Sequence, residues 1–214
     1  MSTRNAICPN CGAEVRFRWS GAVQTTCEYC KSILVRNDLN LALVGKAADL
    51  PIDISPIQIG TEGMFNNKAF QVIGRIVYRY DLGTWNEWHL MFTDGSSGWL
   101  SDAQAEYAVS FANSFTDAPP DAGGLQRGMM MVQHNVPLYL TVISHALYET
   151  TEGELPFTSY DKEKCYFADF RTNDGRFATV DYSENPPLLF LGQFAEFSSL
   201  QLKNLKEFEG WPTV

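Results

Sequence analysis

Apolar and polar residues alternate with a period of two along most of this chain. In AEVRFRW (13–19), Val15, Phe17 and Trp19 fall on one side and Glu14, Arg16 and Arg18 on the other, as in a half-buried strand. Ser20-Gly21 then supplies a turn, AVQTT (22–26) returns as a second strand, and SILVR (32–36) reads as a third. Leu39, Leu41 and Leu43 keep the period, so that stretch is extended, and Pro51 and Pro56 keep their neighbours irregular. WHLMF (88–92) and CYFADF (165–170) are aromatic strands, each ahead of an aspartyl-glycine turn at Asp94-Gly95 and Asp174-Gly175. Helical periodicity is scarce. The tail FSSLQLKNLKEFEGW reads as a last strand through Leu200 and Leu202 rather than a short helix capped by Ser198.

From residue 57 the pattern repeats. IQIGTEGMF (57–65) lies over LQRGMMMVQ (125–133), placing Gly60 on Gly128. FQVIGRIVY (70–78) lies over LTVISHALY (140–148), placing Ile73 on Ile143 and Tyr78 on Tyr148. The two aspartyl-glycine turns come next, then YAVSF (107–111) over PLLFL (187–191). The same features in the same order predict a duplication, with an insertion around GELPFTSYDKEK in the second copy. The expected fold is mainly β: an N-terminal ribbon over 1–36, a linker over 37–56, β units over 57–112 and 125–208, a Pro- and Gly-rich joint over 113–124, and a tail over 209–214. Each unit has hairpin spacing and is expected to close into a small, SH3-like partial barrel.

Composition supports a packed β protein, with 14 Phe, 9 Tyr, 5 Trp and 16 Gly among 214 residues. Net charge is -9, divided as +3 over residues 1–36 and -12 over the rest. An acidic body excludes broad nucleic-acid binding, because neutralising phosphates needs a basic surface; only the head keeps that option. No stretch approaches the roughly 18 apolar residues of a membrane span, and the N-terminus lacks a signal-peptide pattern, so a cytoplasmic protein is expected.

Cysteine supplies the clearest chemical signal. Four of the five cysteines form two C-x-x-C pairs, Cys8/Cys11 and Cys27/Cys30, fifteen residues apart. Two residues between cysteines let one tight turn aim both thiolates at one point, and the second pair completes a tetrahedron suited to zinc. Gly12 comes directly after the first pair, where the turn needs positive φ. A redox dithiol would sit at a helix N-terminus beside a βαβ pattern, which is absent. Four thiolates leave no open position, so the expected zinc is structural. Cys165, alone in its strand, reads as a small buried hydrophobe.

Catalytic groups are harder to find. His89, His134 and His145 show no ligand spacing, and the phosphate-loop, nucleophile-elbow and dinucleotide motifs are missing. Glu152 and Glu154, or Asp181 and Glu184, would need to meet in a cleft to serve as acid and base; turn chemistry and solvation explain them more simply. Among the aromatics, Trp85 and Tyr80 are the candidates for a protein-binding surface, Trp85 being the ring expected to be most exposed. In the head, Arg16, Arg18 and Trp19 are the candidates for nucleic-acid contact.

GRIVYRYDLGTWNEWHL in the first copy, and GELPF with FATVDYSENPPLLFLGQ in the second, resemble a bacterial family known as domain of unknown function 4178. The resemblance covers about 57–208, and a zinc ribbon before such a body is similar to one of the family's usual arrangements. It implies no catalytic residue. It does imply a genetic setting near polyamine-synthase-like enzymes and phage-shock-type membrane-stress proteins, hence an accessory role in an envelope-stress or polyamine-linked system. The expectation is a non-enzymatic zinc-binding adaptor whose partner is another protein. The alternatives are a small-molecule binder or enzyme using a cleft between the β units, and nucleic-acid binding through the ribbon.

Overall fold

The computed structural model describes residues 4–37, 40–49, 55–159 and 164–208. The tail 209–214 and part of the GELPFTSYDKEK insertion lie outside them. Described residues form fifteen strands and two short 3-10 turns, with no α-helix. The head contains β1 (Arg4–Ile7), β2 (Glu14–Phe17), β3 (Gln24–Thr26), β4 (Ser32–Asn37) and β5 (Asn40–Lys46). The last of these occupies the stretch read as a linker, where it pairs with β4.

Strand pairing in the head differs from the expected hairpin between the cysteine pairs. β2 pairs with β1, and β3 pairs with β4. The chain turns away after Phe17 because the Arg18 and Trp19 N–H groups are taken by the Glu154 carboxylate, which belongs to a strand far along the chain. Val15 and Phe17 are buried as the alternation predicts, with Cys8, Ala22, Cys27 and Leu34.

The body opens with β6 (Glu62–Phe65), β7 (Lys68–Tyr80), β8 (Gly83–Phe92), β9 (Ser97–Ala103) and β10 (Glu106–Asn113), an antiparallel run in which each strand pairs with the next. A second run is built the same way: β11 (Met130–Gln133), β12 (Val136–Leu155), β13 (Lys164–Arg171), β14 (Arg176–Asp181) and β15 (Leu188–Phe194). The two runs do not close separately into small barrels. β10 pairs with β15 and β7 pairs with β12, so both runs belong to one large antiparallel sheet whose pairings form a circuit of eight strands. Apolar strand faces too large for one five-stranded run to bury are covered by this sharing.

Local geometry recurs between the runs. The hairpin turns Asn66-Asn67 and His134-Asn135 have φ near +50° and +60° in both cases (48°, 61°; 50°, 62°). Gly60 and Gly128 have φ of 90° and 84°, and Gly95 and Gly175 both have 84°. Bulges fall between Val72 and Gly74 in one run and Leu140 and Val142 in the other. Backbone bonds fix the correspondence: Gly60 N donates to Val72 O and Gly128 N to Leu140 O, both at 2.8 Å. Ile73 therefore corresponds to Thr141 and Tyr78 to Ala146, two residues from the alignment drawn on Ile143 and Tyr148. Tyr78 and Tyr148 instead face each other across the β7–β12 pairing.

Apolar burial is divided accordingly. One cluster gathers Phe70, Val72, Trp88, Leu90 and Phe92 with Ile57 and Leu200. A second gathers Leu138, Leu140, Phe170 and Val180. A third lies between the runs and holds Ile76, Tyr78, Trp99, Leu155 and Cys165, the last buried as expected. The tail departs from the expected strand: Phe197–Leu200 is a 3-10 turn, and beyond it Lys203 forms a bridge with Glu62.

Candidate metal centre

The two cysteine pairs sit on two turns built alike. After the first, Gly12 N donates to Cys8 O at 2.9 Å and Cys8 N to Ala13 O at 2.8 Å. After the second, Lys31 N donates to Cys27 O at 3.0 Å and Cys27 N to Ser32 O at 2.9 Å. Gly12 and Lys31 hold the same left-handed position, with φ of 75° and 58°. Glycine takes that conformation freely, whereas lysine is held in it by the turn.

These turns bring Cys8, Cys11, Cys27 and Cys30 together with all four Sγ within 4.8 Å of one another. Cys8 and Cys30 Sγ are 3.7 Å apart, and Cys11 and Cys27 Sγ 3.8 Å. Zinc–sulfur bonds of about 2.3 Å in a tetrahedron place sulfurs about 3.8 Å apart, so the donor set fits zinc. The cysteines are not disulfide-bonded. Asn10 Nδ2 donates to Ser32 Oγ at 3.1 Å, and that hydroxyl lies 3.1 Å from Cys30 Sγ. Hydrogen bonds from Ser32 and Asn10 lower the Cys30 thiol to about 5, favouring the thiolate a metal needs.

The centre is seated on the body by the end of β12. Glu154 is 1% exposed, and its two oxygens accept from Arg18 N at 2.7 Å and Trp19 N at 2.9 Å. Burial raises this carboxyl above its ordinary value, and the two N–H donors oppose that rise. β3 pairs with β12 through Thr25 opposite Glu154 and Gln24 opposite Leu155. The Gln24 side chain exchanges two bonds of 2.8 Å with Ser159. Trp19 rests edge-on against His89 at 5.0 Å and donates Nε1 to Gly95 O at 3.4 Å.

His89 is fully buried. Its Nδ1 lies 2.8 Å from Glu154 O, a carbonyl, so this nitrogen carries the proton. Nε2 is then a buried acceptor with no partner among the described residues. Burial lowers the ring to about 4, which keeps it neutral. Its position between Trp19 and Trp99 makes it part of the seat under the head.

The other candidate residues are not gathered into one site. Arg16 and Arg18 are exposed and tied to Glu14 at 3.1 Å and Glu28 at 3.4 Å, while the Trp19 ring is turned onto the body. Trp85 is half-buried: it stacks on Tyr78 at 4.9 Å, meets Tyr80 edge-on at 5.5 Å, and donates Nε1 to Glu87 at 3.1 Å. Of the acidic pairs, Glu154 is spent on the head, and Asp181 accepts from Ser183 N at 2.8 Å.

Two inward-facing carboxylates have no distinguishing signal in the sequence. Glu87 is pushed up to about 7 by burial, against bonds from Ser101 and Trp85 and with the Asp169 and Asp102 charges adding to the rise. Asp169 is raised by burial against a 2.6 Å bond from Thr179. Strand alternation places them on a face, but does not reveal that both runs turn that face toward each other.

Comparison with known proteins adds the family alone. No curated protein and no solved structure matches the chain. The profile of a domain of unknown function (DUF4178) matches residues 58–197, a span that takes in both five-stranded runs. The chain belongs to the DUF4178 family, and carries on the front of that domain a four-cysteine centre seated against it.

Proposed function

We propose that this protein is a non-enzymatic, zinc-binding accessory protein that acts by binding another protein, with a structural zinc in its head and a duplicated β body. The observation that carries the reading is the convergence of four thiolates, which saturates a tetrahedral ion and leaves substrate no position on it. The matching turns and bulges of the two runs support the duplication. Paired cysteines arranged as metal ligands fit a cytoplasmic setting better than a disulfide framework would. Glu154 serves the joint between head and body, which withdraws it from acid–base work in a cleft. Trp19 is turned away from Arg16 and Arg18, which weakens the case for nucleic acid.

The test is metal analysis of the purified chain together with affinity capture from the native host under envelope stress. One zinc per chain and a specific protein partner, reduced for Trp85→Ala, are the expected results. A chain that carries no zinc, or recovers no specific protein with either form, overturns the reading.

A further inference from the structure

The two runs present equivalent outer edges, and the chain treats them differently. In the first run Glu62 N and O, facing outward from β6, bond Lys203 O and N at 3.1 and 2.8 Å. Leu200 and Leu202 pack over Gly63, where a side chain would strike them. Met130 and Met131 are the counterparts of Glu62 and Gly63. Met131 fills the equivalent space with its own side chain and is buried, so no tail segment is needed there. Among the described strands β11 pairs with β12 alone.

Its polar groups are left facing out. A two-residue turn makes Gln133 and Val136 a hydrogen-bonded pair, so Met130 and Val132 direct N–H and C=O away from β12. Pro137 opposite Val132 fits this phase, having no N–H to offer. No described backbone group bonds those outward groups. The Ser114–Asp117 loop is tied to Gln133 and His134, at the strand's end only. Met130, Val132 and Tyr139 are 53%, 37% and 42% exposed on one face, beside exposed Pro137.

Charge indicates the occupant. Residues 128–148 contain no Asp, Glu, Lys or Arg, whereas the chain as a whole is -9. Edge strands that avoid pairing usually carry charge, and β11 has none. Two acidic chains can meet along this edge without placing like charges in contact. We propose that β11 is a dimerisation edge that pairs antiparallel with β11 of a second copy, about a two-fold axis through Met131. Met130 then faces Val132 of the second copy, and both exchange N–H and C=O bonds. The exposed apolar side chains become one continuous band across the joint.

Sedimentation of the full chain, with and without Val132→Lys, tests this. The expected result is a dimer whose dissociation constant rises at least about tenfold in Val132→Lys. Leu82→Lys, at a site 81% exposed in a turn elsewhere, leaves the dimer unchanged. Hydrogen exchange on the wild-type chain needs no variant: Met130 and Val132 amides are protected when the chain is concentrated and exchange when it is diluted. A monomer throughout, a Val132→Lys dimer of unchanged strength, or concentration-independent exchange overturns the proposal. A monomer that instead captures an extended peptide at β11 also overturns the choice of a second copy.

Discussion

Glu87 carries a proton at pH values where a solvated glutamate has lost it. Its unfolded form titrates near the ordinary 4.5 and its folded form near 7. Between these values the native state binds the extra proton, so the group's stabilising contribution is full below 4.5 and is lost as pH rises through 7. His89 runs the other way: lowered from 6.5 to about 4, it contributes stability above 6.5 that is lost as pH falls through 4. Comparing wild type with Glu87→Gln cancels the histidine. Urea unfolding at pH 5 and pH 8 should show a change on going to pH 8 that is less favourable in the wild type than in the variant, and equal pH dependence would contradict the assigned burial. None of this is legible in NEWHLMF, where alternation gives a side but not what lies opposite. The cysteines are legible because C-x-x-C spacing fixes local geometry without help from the rest of the chain.

At the scale of elements, β7 and β12 approach each other closely where they cross. Gly74 and Gly153 face each other there. A Cβ on Gly74 would run into the Glu154 carbonyl oxygen, and one on Gly153 into that of Ile73. These obstacles are backbone, which cannot rotate aside as a side chain can. Gly74→Ala should therefore cost about 3 kcal/mol or more, read as a lower urea midpoint, and a loss within about 0.5 kcal/mol would mean the strands separate freely. Alternation and aspartyl-glycine turns locate the strands well. They do not assign partners: proximity in sequence pairs β2 with β3, while the actual contacts use β1 and β12. The self-alignment slips by two residues because Tyr78 and Tyr148 resemble each other, although the bulges set the correspondence.

For the molecule as a whole, β3, β4 and β5 of the head belong to the body's sheet, while β1 and β2 form a two-stranded sheet of their own. Removing a metal held by the four cysteines should then be felt beyond the head. Adding a strong chelator should lower the thermal midpoint of a single cooperative transition, because head strands share hydrogen bonds with β12. In Glu154→Ala the Arg18 and Trp19 N–H groups lose their acceptor, and the transition should split, with the head melting first. An early head transition already present in the wild type would refute this coupling. The +3 and -12 charge division points to a separate head, but backbone bonds outweigh that contrast at this joint.

The clamp on Arg18 also has a consequence for synthesis. All four cysteines precede the body in the chain, so a metal could be captured there while most of the sheet does not yet exist. The residue that seats the head, Glu154, is 136 positions beyond Arg18. Through that interval the nascent head must keep Trp19 and the edge of β3 uncovered, waiting for a strand still to be translated. Contacts this distant in sequence form slowly and expose apolar surface meanwhile. A metal bound there early would stabilise the half of the joint that is made first.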